Sequence, residues 1–172
     1  MIRQLLLIIL SMTVAKAQDS LRYSIDLNRL QNDRLTVEVK LPAGVKEFCF
    51  PKMVPGTYAI YNFGRYVQNL QAYDASGKQI PVIRKDTNCY TFANASSLTY
   101  QVDDSWDSPE IKGPYVFEPA GTNFQQDTLF ALNTHALLGY IKGRELLPVS
   151  LQLNVPPGMV ASSSLIERNG RF

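Results

Sequence analysis

The chain has 172 residues, with 17 Lys and Arg against 15 Asp and Glu, one His, two Cys and one Trp. Without a 1–17 leader, which carries Arg3 and Lys16, basic and acidic residues balance at 15 each, leaving no electrostatic footprint for nucleic acid or an anionic membrane surface. At 45% hydrophobic and 19% charged, the composition is neither disordered nor fibrous, and the length suits one domain rather than two.

Residues 1–17 read as a signal peptide. Arg3 supplies the positive start, residues 5–10 an apolar run too short for a membrane span, and Ala15-Lys16-Ala17 a small-x-small cleavage site. The mature domain, 18–172, is therefore expected to be exported, periplasmic or extracellular, with no stable membrane insertion after cleavage. Its dominant period is two. Leu21, Tyr23, Ile25 and Leu27 alternate with polar residues, as do Leu35, Val37, Val39 and Leu41, so the chain opens with an antiparallel pair joined across 28–33. Cys49 and Cys89 lie in strand-like segments, where a bridge would contribute about 2–4 kcal/mol. Nothing in the sequence sets their separation, and the reading leans to two buried, unpaired thiols. A turn or short helix is the most that 58–70 supports, since Gly64 interrupts its spaced apolar residues. Residues 68–73 and 79–84 flank Asp74-Ala75-Ser76-Gly77-Lys78 as a hairpin. Residues 89–92 and 98–102 read as another pair, 128–132 and 137–141 as two more short strands, and 149–155 as a last one. The expected fold is all-β, a single β-sandwich of short antiparallel strands with at most one short helix.

Catalytic residue types are scarce. His135 stands alone, without H-E-x-x-H or a G-x-S-x-G elbow, and reads as a hydrogen-bonded loop residue. A zinc site from His135, Cys49 and Cys89 lacks the close ligand spacing such sites use. Asp103, Asp104, Asp107 and Glu110 surround Trp106 with carboxylates of the kind calcium prefers, but their spacing fits no EF-hand, and the segment reads as a solvated loop. Pro55-Gly56 has the order of a type II turn between an apolar strand and the aromatic run Tyr58, Tyr61, Phe63 and Tyr66. Within that run the Arg65 guanidinium is placed to stack on a ring or clamp a carboxylate.

Val54-Pro55-Gly56-Thr57-Tyr58-Ala59-Ile60-Tyr61-Asn62-Phe63-Gly64-Arg65-Tyr66-Val67 resembles the PGSY-x-I-x-x-F-x-R-x-V signature of the N-terminal domain of glycyl aminopeptidases, exported metallopeptidases that also carry a PDZ domain. Leu98 to Val102, Ala120-Gly121-Thr122-Asn123, Leu129 to Asn133, and 148–158 continue the series in order. Thr57 replaces the family's usual Ser, and Asn62-Phe63-Gly64 a more usual Asp-Phe-Ala. The resemblance implies a non-catalytic β-sandwich resting against a thermolysin-like domain that holds H-E-x-x-H and the zinc. This chain itself is then expected to bind no cofactor. Its implied partners are the catalytic domain of the parent peptidase and a peptide substrate. Pro55, Gly56, Thr57, Tyr58 and Arg65 are the cleft or domain-interface candidates, with Gly121, Thr122 and Asn123 a loop facing the partner domain. The chain ends about where the catalytic domain is expected to begin. The alternative from a different class is a free-standing exported sandwich that binds peptide or glycan at its aromatic edge.

Overall fold

The computed structural model describes residues 19–108 and 111–172; the expected signal peptide, with Pro109 and Glu110, lies outside the described residues. The strands are β1 (Leu21–Asp26), β2 (Arg34–Cys49), β3 (Val67–Tyr73), β4 (Gln79–Ile80), β5 (Val82–Arg84), β6 (Cys89–Asp103), β7 (Asn123–Gln125), β8 (Leu129–Ala131), β9 (Tyr140–Ile141) and β10 (Val149–Asn154). One α-helical turn, α1 (Thr134–Leu137), and three 3-10 turns complete the described secondary structure.

Eight strands form one sheet in the order β10-β1-β2-β6-β3-β4, with β5 on β6 and β9 on β2; β7 and β8 make a separate hairpin. The all-β expectation holds, but hydrogen bonding gives one large sheet and a small hairpin rather than two facing sheets. The sheet is also mixed, because β10 runs parallel to β1, from Leu21 opposite Val149 to Asp26 opposite Asn154. The opening antiparallel pair, β1 with β2, is as read from the alternation.

The second departure is strand length. Residues 89–92 and 98–102 are not partners of each other but the two ends of one 15-residue strand, β6, paired along β2. Ala93-Asn94-Ala95-Ser96 is a bulge rather than a turn. The β2–β6 register shifts between Lys40 and Glu47, Pro42 lies in the irregular stretch, and Asn94 takes φ 111° while its Oδ1 accepts the Gly44 N–H at 3.1 Å. Before the bulge β2 and β6 are flanked by β1 and β3; beyond it they are flanked by β9 and β5. The 79–84 arm is split likewise: β4 pairs with β3 across the Asp74–Lys78 turn, and β5 moves over to β6. Of the two strands expected near 128–141, β8 pairs with the unanticipated β7, while Leu137 belongs to α1.

The core follows from the alternation. Leu21, Tyr23, Ile25, Leu35, Val37, Val39, Leu98, Tyr100 and Val102 are buried on one face, with Phe48 and Phe50 beyond the bulge. Phe50 packs edge-on against Tyr100 at 5.0 Å and against Phe48 at 5.6 Å. The α1–β9 segment lies over this face, where its carbonyls satisfy two buried phenols: Tyr23 donates to Gly139 O at 2.6 Å and Tyr100 to Leu137 O at 2.8 Å. Burial pushes both phenols up from their ordinary values. No helix among the described residues is long and apolar enough to cross a membrane.

Candidate functional site

The segment from Phe50 to Tyr66 joins β2 to β3 and carries five of the candidates. Gly56 takes φ 88° and Thr57 N–H donates to Val54 O at 3.3 Å, which is the type II turn that Pro55-Gly56 encodes. The Thr57 hydroxyl donates to the same carbonyl at 2.8 Å, a role the family's usual Ser can also fill. Tyr58 follows at φ 52°, a left-handed conformation uncommon for a bulky residue, with its side chain in solvent. The chain then turns inward. Tyr61 and Phe63 are buried, and Asn62 introduces the 3-10 turn Phe63–Tyr66. Asn88, itself buried, ties that turn to the start of β6: its Oδ1 accepts the Gly64 N–H at 3.1 Å and its Nδ2 donates to Asn62 Oδ1 at 3.0 Å. Cys49 stands directly opposite Cys89 in the β2–β6 register and the two are bridged, which overturns the reading of unpaired thiols. The bridge closes the base of the loop and removes both sulfurs from any metal site with His135.

Arg65 stacks over Tyr66, with the guanidinium carbon 4.6 Å from the ring centroid, and its remaining contacts are to backbone. Its terminal nitrogens donate to Ile111 O at 3.4 Å and to Pro114 O. The residue thus clamps the 111–114 backbone, and no described carboxylate pairs with it. With Tyr66, Trp106, Tyr115 and Val116 it lines a hollow of about 460 Å³, which Pro55, Gly56, Thr57 and Tyr58 do not line. The structure therefore does not unite the two halves of the signature in one pocket.

Gly121, Thr122 and Asn123 are buried. Gly121 lies beneath Ser105, Trp106 and Val116; Thr122 N–H donates to Ser105 Oγ at 2.8 Å, and Thr122 O accepts the Ser105 N–H at 3.2 Å. Residues of this chain pack over the 121–123 segment. Asn123 Oδ1 is buried without a described partner.

The start of the acidic segment is not a solvated loop either, although Asp107 is exposed as expected and Glu110 lies outside the described residues. Asp103 and Asp104 are buried. Asp103 pairs with Arg34 and accepts from Gln68 Nε2 at 2.9 Å; Asp104 accepts the backbone N–H of Trp106 at 2.8 Å and of Phe124 at 2.6 Å. These bonds fasten β6 to the β7 hairpin and orient Trp106. Asp33, Asp104 and Asp107 bring carboxylate oxygens within 4.8 Å of one another. Desolvation, then the like charges of Asp104 and Asp107, push Asp33 up to about 6, and Asp104 is raised chiefly by burial. Asp33, Arg34 and Asn88 had no signal in the sequence, because each acts through residues distant along the chain. His135 N–H donates to Asn133 Oδ1 at 2.9 Å, within the cap of α1.

Comparison with known proteins agrees with this architecture. No curated protein matches the chain. Among solved structures it is similar to an aminopeptidase N family protein from Idiomarina loihiensis, at 23% identity and a TM-score of 0.60 over 88% of this chain; it spans only 26% of that longer one. The family model for the Peptidase M61 N-terminal domain matches residues 22–171. With nearly all of its described length accounted for by that model, this chain belongs to the Peptidase M61 N-terminal domain family, the N-terminal domains of glycyl aminopeptidases.

Proposed function

We propose that this chain is the non-catalytic N-terminal domain of an exported zinc aminopeptidase, and that it buttresses the catalytic domain and walls one side of the substrate cleft. The carrying observation is the family match over residues 22–171. The share of the solved aminopeptidase chain that it spans, about a quarter, is consistent with one accessory domain of a larger peptidase. The zinc, on this reading, belongs to the catalytic domain. In this chain Cys49 and Cys89 are tied to each other and Asp104 is spent on backbone N–H groups. Export supplies the oxidising compartment in which such a bridge persists. An antibody raised against residues 18–172 tests the reading on the native product of the source cell. A band much larger than the mature chain, from a polypeptide containing H-E-x-x-H, is expected; a band only of the mature chain's size refutes it.

One observation favours a second reading, a free-standing exported module. The hollow beside Arg65 has Tyr66, Trp106 and Tyr115 on its walls, the residue types on which a sugar or peptide ring stacks. Titration of oligosaccharides and short peptides into the chain, followed by Trp106 fluorescence, decides it: saturable binding supports the module and a flat titration removes it.

A further inference from the structure

The Phe50–Tyr66 segment combines a stiff base with a tip that makes no sense inside this domain. At the base, Tyr61 and Asn62 N–H both donate to Lys52 O, at 2.7 and 3.0 Å, and Phe63 N–H to Pro51 O at 3.1 Å. Tyr61 and Phe63 pack with ring centroids 5.5 Å apart beneath it. At the tip Tyr58 is 99% exposed, with Ile60 at 58% and Met53 at 49%. Tyr58 also sits at φ 52°, a left-handed conformation that strains a bulky residue. A fully exposed ring recovers none of that cost from its own domain, whereas glycine would occupy the position without strain. From Met53 to Tyr61 there is no charged residue, so the tip offers nothing to an anionic surface.

We propose that Tyr58 is an anchor. Its ring inserts into a preformed, uncharged pocket on the catalytic domain of the same parent polypeptide, flanked by Met53 and Ile60, with a hydrogen-bonding group at the pocket floor for the phenol. This rests on the accessory-domain reading above. That partner is chosen over others for two reasons. The similar solved chain has most of its length outside the matched part, and on the accessory-domain reading such a remainder is the partner within the same polypeptide. A rigid, neutral knob also suits permanent docking within one polypeptide, because the ordering cost is already met before contact. Ring-bearing residues of this kind dominate the energetics of such contacts.

The test places p-benzoylphenylalanine at position 58 of the polypeptide as the source cell makes it, with irradiation, digestion and mass spectrometry. The expected product joins residue 58 to a peptide of the same polypeptide outside 18–172, and it is lost when the probe is moved to Leu146, equally exposed at 99% on another loop. Cross-linking to a second copy, to a separate protein or to an added peptide substrate overturns the anchor, as does a probe that forms no cross-link. A native polypeptide no longer than the mature chain removes the accessory-domain reading, and the anchor with it, in the immunoblot before any irradiation. A large polypeptide with a solvent-facing position 58 overturns the anchor alone.

Discussion

Gly64→Ala is the most exacting test of how the signature segment is held. A Cβ at this position meets Thr87 O at 2.3 Å, Asn88 Cα at 2.6 Å and Asn88 Oδ1 at 3.0 Å. The first two are backbone atoms, so no rotamer change relieves the overlap; the 3-10 turn and the Asp86–Asn88 turn must separate. Overpacking of this kind costs about 1–3 kcal/mol. Separation also breaks the bond from Gly64 N–H to Asn88 Oδ1, worth about 1 kcal/mol, and strains the one from Arg84 Nη2 to Gly64 O at 2.9 Å. Against this, alanine lowers the entropy of the unfolded chain, a gain of about 0.4–1 kcal/mol. The clash wins, and the expected net loss is about 2 kcal/mol, a fall in Tm of roughly 4–8 °C for a domain of this size. Gly56→Ala is the control: nothing lies within 4 Å of its Cβ, so only its φ of 88° is penalised, by about 1 kcal/mol. Urea and thermal unfolding followed by Trp106 fluorescence give both values. A Gly64→Ala chain as stable as the parent, or more stable than Gly56→Ala, refutes the close approach.

Replacing Cys49 and Cys89 together by Ala removes a link across 40 residues, and chain entropy puts the loss at about 4 kcal/mol, measured as a fall in the urea midpoint that reducing agent reproduces in the parent. Asp33 gives a pH signature. Its folded pKa, raised to about 6, lies above the unfolded value, so its contribution is fully present below about pH 4 and is lost as pH rises through about 6. Because Asp33 is exposed, solvent screening reduces the effect to at most about 1 kcal/mol. Asp33→Asn, which tolerates the same φ of 58°, is expected to stabilise the chain at pH 7 and to flatten the slope between pH 4 and 7; an unchanged slope contradicts the assignment. Asp26, Asp74 and Asp86, held below the ordinary range first by Asn28, Ser76 and Asn88 respectively, lose their contributions only at lower pH. Tyr58→Gly relieves backbone strain without removing a contact, and the extra freedom glycine gives the unfolded chain offsets much of that gain, so the chain on its own changes by less than about 1 kcal/mol; a loss of about 2 kcal/mol or more shows that the ring packs within this domain.

What the sequence disclosed follows how local each determinant is. β1, the first half of β2 and β10 announce themselves by alternation, because one face is buried and the other wet. The Pro55-Gly56 turn is legible because turn chemistry is written in adjacent residues. The direction of β10 is not, since the same alternation serves a parallel or an antiparallel neighbour. The continuity of β6 through Asn94 is invisible for a related reason: Ala-Asn-Ala-Ser satisfies turn chemistry, and only β2 running alongside both halves makes it a bulge. The choice between a bridge and two free thiols is not legible because the Cys49–Cys89 separation is set by that same long register rather than by anything near either residue. Arg65 takes one of the two roles its place in the aromatic run allows, stacking on a ring, while its clamp closes on carbonyls 46 and 49 residues away, where side-chain patterns say nothing.

The departures from the family signature at 62 and 64 are one device rather than two substitutions. Asn62 Oδ1 accepts from Asn88 Nδ2, and Asn88 Oδ1 accepts from Gly64, so a single buried amide reads both positions. The more usual Asp at 62 keeps an acceptor in the same place, and Asn62→Asp is expected to lie within about 0.5 kcal/mol of the parent. The more usual Ala at 64 has no room while Thr87 and Asn88 stand where they do. Restoring the family pattern at both positions should therefore still fail by about the Gly64→Ala loss, and because both positions share Asn88 a double-mutant cycle is expected to show a coupling energy. If Asn62→Asp instead rescues Gly64→Ala, position 62 rather than Asn88 sets the approach of the two turns, and the amide is a bystander.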